Sequence, residues 1–174
     1  MTTHRRRPPV HAGLHRVRLS RATLTSPGHH PVAPAETDLR DDRAAGELLR
    51  QAFPPLRGDA AALFIPSVDG RSERGVLCLV DDVPERASAA DAEQALRCFA
   101  GAAAHLGPGA GLLVAVQRRG EAGPRDTDVV WLHTARAVCA GLGVELLGVW
   151  LVAGRAAPLR LDGPPGAALA LDVA

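Results

Sequence analysis

Short apolar runs alternate with segments of helical periodicity from Ala60 to Ala153, and this alternation restricts the possible folds more than any other feature of the sequence. Every residue of the run Gly111–Val116 is apolar, as expected for a strand that is buried on both faces of a sheet. The run lies between two segments whose apolar residues recur at helical spacing, Ser88–Leu106 and Asp126–Leu142. Strands that alternate with helices in this way form a central sheet covered by helices. The sequence therefore predicts an α/β fold.

The remaining segments complete a predicted order of helix, β-hairpin, helix, strand, helix and strand. A first helix is expected after Asp41 or Asp42, since aspartate is a good N-cap residue. The runs Ala60–Ile65 and Gly75–Val80 flank a turn and predict the hairpin, and Val144–Ala153 predicts the last strand. We therefore expect a three-layer-like domain with a central mixed sheet flanked by helices.

Three regions are predicted along the chain: a flexible leader at residues 1–40, the α/β domain at 41–162 and a short tail at 163–174. The leader holds five of the seven histidines and has little apolar periodicity, although Val17–Leu24 is apolar enough to pair as an edge strand. Its arginines, beginning with Arg5–Arg7, can contact phosphates. No aromatic residue accompanies them for base stacking, so DNA binding by the leader is the weakest of the functional alternatives.

Composition and charge exclude several broad classes of protein. The 174 residues carry 20 basic and 19 acidic side chains, a formal net charge of +1, so no large field attracts the chain to nucleic acid or membrane. All the basic residues are arginine, which is typical of the GC-rich codons of some bacteria. The apolar runs are too short to cross a bilayer. Cys78, Cys98 and Cys139 fall in apolar runs, which predicts buried thiols and a reducing cytoplasm.

The segment between the central apolar strand and the next helix, Gln117–Asp128, is the densest cluster of charged and turn-forming residues in the predicted domain. Ligands bind at such junctions in open α/β sheets. Arg118, Arg119 and Arg125 lie before a helix N-terminus, whose free amides and dipole favour an anion. The segment is therefore a candidate site for a small anion or phosphate.

Three acids in the same segment support a second interpretation. Glu121, Asp126 and Asp128 balance the arginines, and Asp126 or Thr127 is suited to cap the helix. In this interpretation the charges pair in solvent, where each pair contributes about 0–1 kcal/mol.

The segment also resembles a known family. The strand Leu112–Val116, Gly120-Glu121, Pro124, Asp128 and Leu142-Gly143-Val144 are similar to the RadC-like bacterial branch of the JAB/MPN metalloprotease superfamily. In that branch a strand leads into His-x-His-Pro-Ser-Gly-Asp and Pro-Ser-x-x-Asp, and a helix then leads to Leu-Gly-Ile. The resemblance covers residues 112–152 and implies a JAB/MPN-like fold.

This chain departs from the family pattern at the residues that carry the family's zinc chemistry. The resemblance implies zinc held by two histidines and an aspartate, with a serine assisting the bound water. Ala115 and Gln117 stand at the histidine positions and Arg125 stands at the serine position, so only Asp128 remains. Catalytic zinc needs three protein ligands and an open position for water. We therefore expect no metal or other cofactor, with Asp128 as a vestigial metal-site position.

Two functions of different classes remain after these exclusions. The first is a non-catalytic binding or scaffold module with a protein partner, a pseudoenzyme with a JAB/MPN-like fold. The second is a sensor or enzyme of small anions that uses Arg118, Arg119 and Arg125.

Overall fold

The computed structural model describes residues 17–21, 36–53, 55–56, 58–72, 76–84, 86–121 and 123–163. Its helices are α1 (Asp42–Ala52), α2 (Ala89–Ala104) and α3 (Asp126–Leu142). Its strands are β1 (Val17–Arg21), β2 (Ala60–Val68), β3 (Arg71–Ser72), β4 (Val76–Val83), β5 (Ala110–Arg118), β6 (Glu145–Ala153) and β7 (Leu159–Arg160). Within these residues, no helix combines the length and the apolar character needed to cross a membrane.

All seven strands belong to one mixed sheet in the order β1-β4-β2-β5-β6-β7, with β3 paired to β2. β5 and β6 are parallel, and the other neighbours are antiparallel. The parallel pair needs a crossover connection, which α3 provides, whereas β2 and β4 form the predicted antiparallel hairpin. The predicted α/β class and the central mixed sheet are therefore confirmed.

Helices cover both faces of this sheet. Leu63 and Phe64, neighbours in β2, point to opposite faces, as the period of a strand requires. Leu63 packs with Leu49 of α1 in one buried cluster. Phe64 packs with Phe99 of α2 and Trp131 of α3 in the other. β5 is buried between the two layers, which accounts for its uninterrupted apolar sequence.

The start of α1 is the predicted one. The carboxylate of Asp41 accepts hydrogen bonds from the backbone N–H groups of Arg43 at 2.8 Å and Ala44 at 3.3 Å. These two amides would otherwise have no partner inside the helix. Asp41 is therefore the N-cap of α1.

Two parts of the predicted leader contact the domain. Val17–Arg21 pairs with β4 at the sheet edge, as the apolar character of that stretch allowed. Leu39 is fully buried in the cluster beneath α1, and its N–H donates to the carbonyl of Gly70. These contacts join residues far apart in sequence, which local periodicity does not detect. All five histidines of the leader lie outside the described residues, as does the tail beyond residue 163.

The cysteines differ in exposure. Cys139 is buried, as predicted, whereas Cys78 is half-buried and Cys98 is exposed. The prediction is wrong for Cys98 because the buried stripe of α2 runs through Leu96 and Phe99, and Cys98 points away from it. Burial raises the pKa of the Cys139 thiol to about 11, so it stays protonated at neutral pH.

Side chains close the outer edge of β6. The carbonyl of Val149 accepts from the N–H of Leu161 at 2.7 Å, and the N–H of Val149 donates to the Asp162 carboxylate at 3.2 Å. The carbonyl of Leu147 accepts from the guanidinium of Arg160 at 3.0 Å. The short strand β7 and the residues after it therefore satisfy backbone groups that a sheet edge usually leaves to water.

We expect Leu49→Ala to lower the free energy of unfolding by about 2–5 kcal/mol, because Leu49 is fully buried between α1 and the sheet. Arg43→Ala, on the exposed side of the same helix, is the control and should change stability by less than about 0.5 kcal/mol. Urea denaturation measures both. A Leu49→Ala cost no larger than that of the control would contradict the packing of α1 on the sheet.

Candidate functional site

The candidate site lies where β5 ends and α3 begins. Arg118 is the last residue of β5, the connecting loop follows it, and α3 starts at Asp126. Because β5 and β6 are parallel, this junction is at the carboxyl end of both strands. That is the edge at which open α/β sheets usually bind ligands.

A buried salt bridge joins the two ends of this junction. Arg118 is 3% exposed and Asp128, in the first turn of α3, is 1% exposed. Nη2 of Arg118 lies 3.0 Å from Oδ2 of Asp128, and Nε lies 3.3 Å from both carboxylate oxygens. The two side chains thus neutralise each other away from water.

The same guanidinium also holds the loop. Its Nη1 donates to the carbonyls of Arg119 at 3.4 Å and Glu121 at 2.8 Å, and its Nη2 donates to the carbonyl of Gly123 at 2.5 Å. A guanidinium has five N–H donors, and with the bonds to Asp128 all five are used. Arg118 therefore has no donor left for a ligand in this arrangement.

Asp128 has a second role as the cap of α3. Its Oδ2 accepts the backbone N–H of Arg125 at 2.8 Å. The N-cap of α3 is Arg125 rather than the predicted Asp126 or Thr127. The prediction fails because the carboxylate three residues further on reaches back to the start of the helix, so no capping side chain is needed at Asp126.

The expectation that these charges pair in solvent is wrong for Arg118 and Asp128. Arg118 follows Val116 by two positions in β5, and Val116 packs in the cluster beneath α2 and α3. Strand alternation therefore directs Arg118 under the first turn of α3, where Asp128 is buried. Removing one member of such a pair costs far more than breaking a surface pair, because the other charge stays buried without a partner.

The other predicted arginines lie outside the protein interior. Arg119 and Arg125 are both exposed. Arg125 lines a surface cleft of about 460 Å³ together with Arg86, Asp126 and Thr127. Of the three arginines predicted to bind an anion, Arg125 alone is among the described residues that line this cleft.

Sequence reasoning missed Arg86, which precedes α2. The strands β4, β5 and β6 run in the same direction, because β2 is antiparallel to both β4 and β5. The helices that follow β4 and β5 therefore start at the same sheet edge, and the cleft lies between their first turns. Only the strand order, which the sequence does not reveal, brings Arg86 next to Arg125.

The positions that the family resemblance aligns with metal ligands are not brought together. Ala115 packs in the cluster beneath α1, on the opposite face from Asp128. Gln117 pairs in register with Ala61 and Val152 and points to the same face as Ala115. Within the described part of the chain, no group of three or more His, Cys, Asp or Glu residues is arranged to hold a metal ion.

Comparisons with protein-family models, with curated proteins and with solved structures find no match for this chain.

We expect Arg118→Met to lower the free energy of unfolding by about 3–5 kcal/mol, because it leaves Asp128 buried without its counter-ion. The double variant Arg118→Met/Asp128→Asn should recover part of this loss, since it removes both charges and keeps an acceptor for the N–H of Arg125. Urea denaturation of the two variants and of Asp128→Asn gives the coupling energy.

Arg97→Met is the matched control, since Arg97 pairs with Glu93 on the exposed face of α2. Its cost should be no more than about 1 kcal/mol. An Arg118→Met cost equal to that of Arg97→Met would show that the buried pair does not stabilise the fold.

Proposed function

We propose that this chain is a non-catalytic binding or scaffold module with a JAB/MPN-like fold that has lost its metal site. The observation that carries the proposal is the guanidinium of Arg118 bound to the carboxylate of Asp128. The order of β5, loop, α3 and β6 supports the likeness to the family, and the side chains at this junction support the loss of its chemistry.

The Arg118–Asp128 pair opposes metal binding on two grounds. Asp128 is the single residue that matches the family's zinc ligands, and both of its oxygens already accept hydrogen bonds. A zinc ion at this carboxylate would also lie next to the buried positive charge of Arg118, and like charges repel strongly where water is excluded. In this chain, the counter-charge of Asp128 is the guanidinium of Arg118.

The same pair makes the junction suitable for binding a protein partner. Three hydrogen bonds from the buried Arg118 side chain to loop carbonyls hold the backbone of the loop, and this loop carries the exposed residues Arg119, Glu121 and Arg125. Binding to a surface that is already ordered costs less conformational entropy than binding that must first order a loop. A protein that presents charges complementary to this loop is the partner that the proposal favours.

We expect the purified chain to retain no stoichiometric zinc after incubation with zinc and removal of free metal. Metal analysis of the native protein and of Asp128→Asn should give the same low content, while Asp128→Asn lowers the melting temperature because Arg118 loses its partner. Asp126→Asn, an exposed acid two residues earlier, is the control. Stoichiometric zinc that is present in the native protein and in Asp126→Asn but lost in Asp128→Asn would overturn the proposal.

A second candidate function, binding of a small anion, is favoured by the cleft at the starts of α2 and α3. Arg86 and Arg125 contribute positive charge to it, and the free amides of a helix N-terminus favour an anion. Asp126 lines the same cleft and opposes this effect, so the anion must make direct bonds to the arginines. Arg118 plays only an indirect part here, by fixing the loop that carries Arg125.

We expect inorganic pyrophosphate to raise the melting temperature if this second function is right, since selective binding to the folded state stabilises it. The variant Arg86→Ala/Arg125→Ala should weaken binding about tenfold or more, because a hydrogen bond to a charged group contributes about 1.5–3 kcal/mol. Arg136→Ala, on the exposed side of α3, is the control. Equal shifts in the native protein and in both variants would exclude the cleft as the site.

DNA contact by the leader stays a prediction, since Arg5–Arg7 lie outside the described residues. A cytoplasmic location also stays a prediction.

A further inference from the structure

An apolar pocket of about 230 Å³ lies at the end of α2 that is remote from the arginine cleft. Phe64, Pro66 and Cys78 line it from the sheet, and Ala102 and Leu106 line it from the helix and the turn that follows. The cleft, in contrast, involves Arg86 before the first turn of α2. The pocket is therefore a separate feature of the fold.

The pocket exists because the second half of α2 carries small side chains. The segment from Ala100 to Ala104 consists of alanine and glycine alone, and methyl groups are too short to fill the space above the sheet. Phe64 of the sheet and Phe99 of α2 pack against each other beside this space, since their rings stack with centroids 4.3 Å apart and both are almost fully buried. The pocket is therefore present in the structure without a ligand.

The residues that line the pocket disfavour a charged ligand. None of the described lining residues is ionised, and the thiol of Cys78 is the most polar side-chain group among them. Burial, together with the neighbouring Cys98, raises the pKa of the Cys78 thiol, so it remains neutral. A charged ligand would lose its hydration here and gain no partner in return.

The size of the pocket selects a small ligand. An engineered apolar cavity of about 150 Å³ stays dry and binds benzene, and this pocket is larger, at about 230 Å³. It is also accessible, because Ala102 is exposed and Leu106 is 39% exposed. A single substituted ring or a short alkyl chain matches this volume, whereas drug-sized ligands need about 300–1,000 Å³.

We propose that this pocket is a binding site for a small uncharged apolar molecule of the size of a substituted benzene ring. The ligand lies between the sheet residues Phe64 and Cys78 and the alanine-rich end of α2. Its affinity comes from removing apolar surface from water and from contact with the aromatic walls, so that the ligand needs no charged or hydrogen-bonding group.

Toluene is the probe, titrated into the full-length chain labelled with ¹³C at alanine and leucine methyl groups. We expect saturable shifts at the methyl groups of Ala102, Leu106 and Leu112, and a higher melting temperature. Benzoate, which adds a carboxylate to a similar ring, should bind at least about tenfold more weakly, because its charge would be desolvated without a partner.

Ala102→Phe fills the mouth of the pocket and should abolish the toluene shifts at Leu106 and Leu112. Ala90→Phe places the same ring on an exposed position in the first turn of α2 and should leave binding unchanged. The proposal is overturned if toluene produces no saturable shift up to its solubility limit, if benzoate binds as tightly, or if Ala102→Phe binds toluene like the native chain. Circular dichroism confirms that both variants are folded.

Discussion

The guanidinium of Arg118 determines how the junction of β5, the loop and α3 is arranged. Among the charged residues whose burial the structure describes, Arg118 and Asp128 are the buried ones, and placing two charges beneath a helix is favourable only if each hydrogen-bonding group finds a partner. Here the carboxylate, three loop carbonyls and the first turn of α3 provide those partners. If β5, the loop or α3 moved separately, a buried charge would lose its partners in an apolar environment. The three elements are therefore held together.

The elements of the domain could be predicted from sequence because each leaves a local pattern. The uninterrupted apolar run of β5 follows from burial between two helical layers, and the capping carboxylate of Asp41 stands next to the helix it starts. Val17–Arg21 and Leu39 were harder to assign, because their partners in β4 and beneath α1 lie far along the chain. Local periodicity contains no information on such contacts.

The candidate site was predicted in position but not in arrangement. The density of charge between β5 and α3 correctly indicated the junction, yet Arg118 and Arg119 look equivalent in sequence and lie in opposite environments. Their difference comes from strand alternation at the end of β5, which sends one side chain under α3 and the next into solvent. Recognising Arg118 as the partner of Asp128 requires knowing that α3 begins directly above that strand end.

The closed edge of β6 has a consequence for how copies of this chain can associate. Unpaired N–H and C=O groups on an edge strand attract strands from other molecules and promote aggregation. Arg160, Leu161 and Asp162 already bind these groups at Leu147 and Val149, so another strand would have to displace two side chains and a backbone bond at once. Extension of the sheet into a continuous intermolecular one is thereby disfavoured on this side.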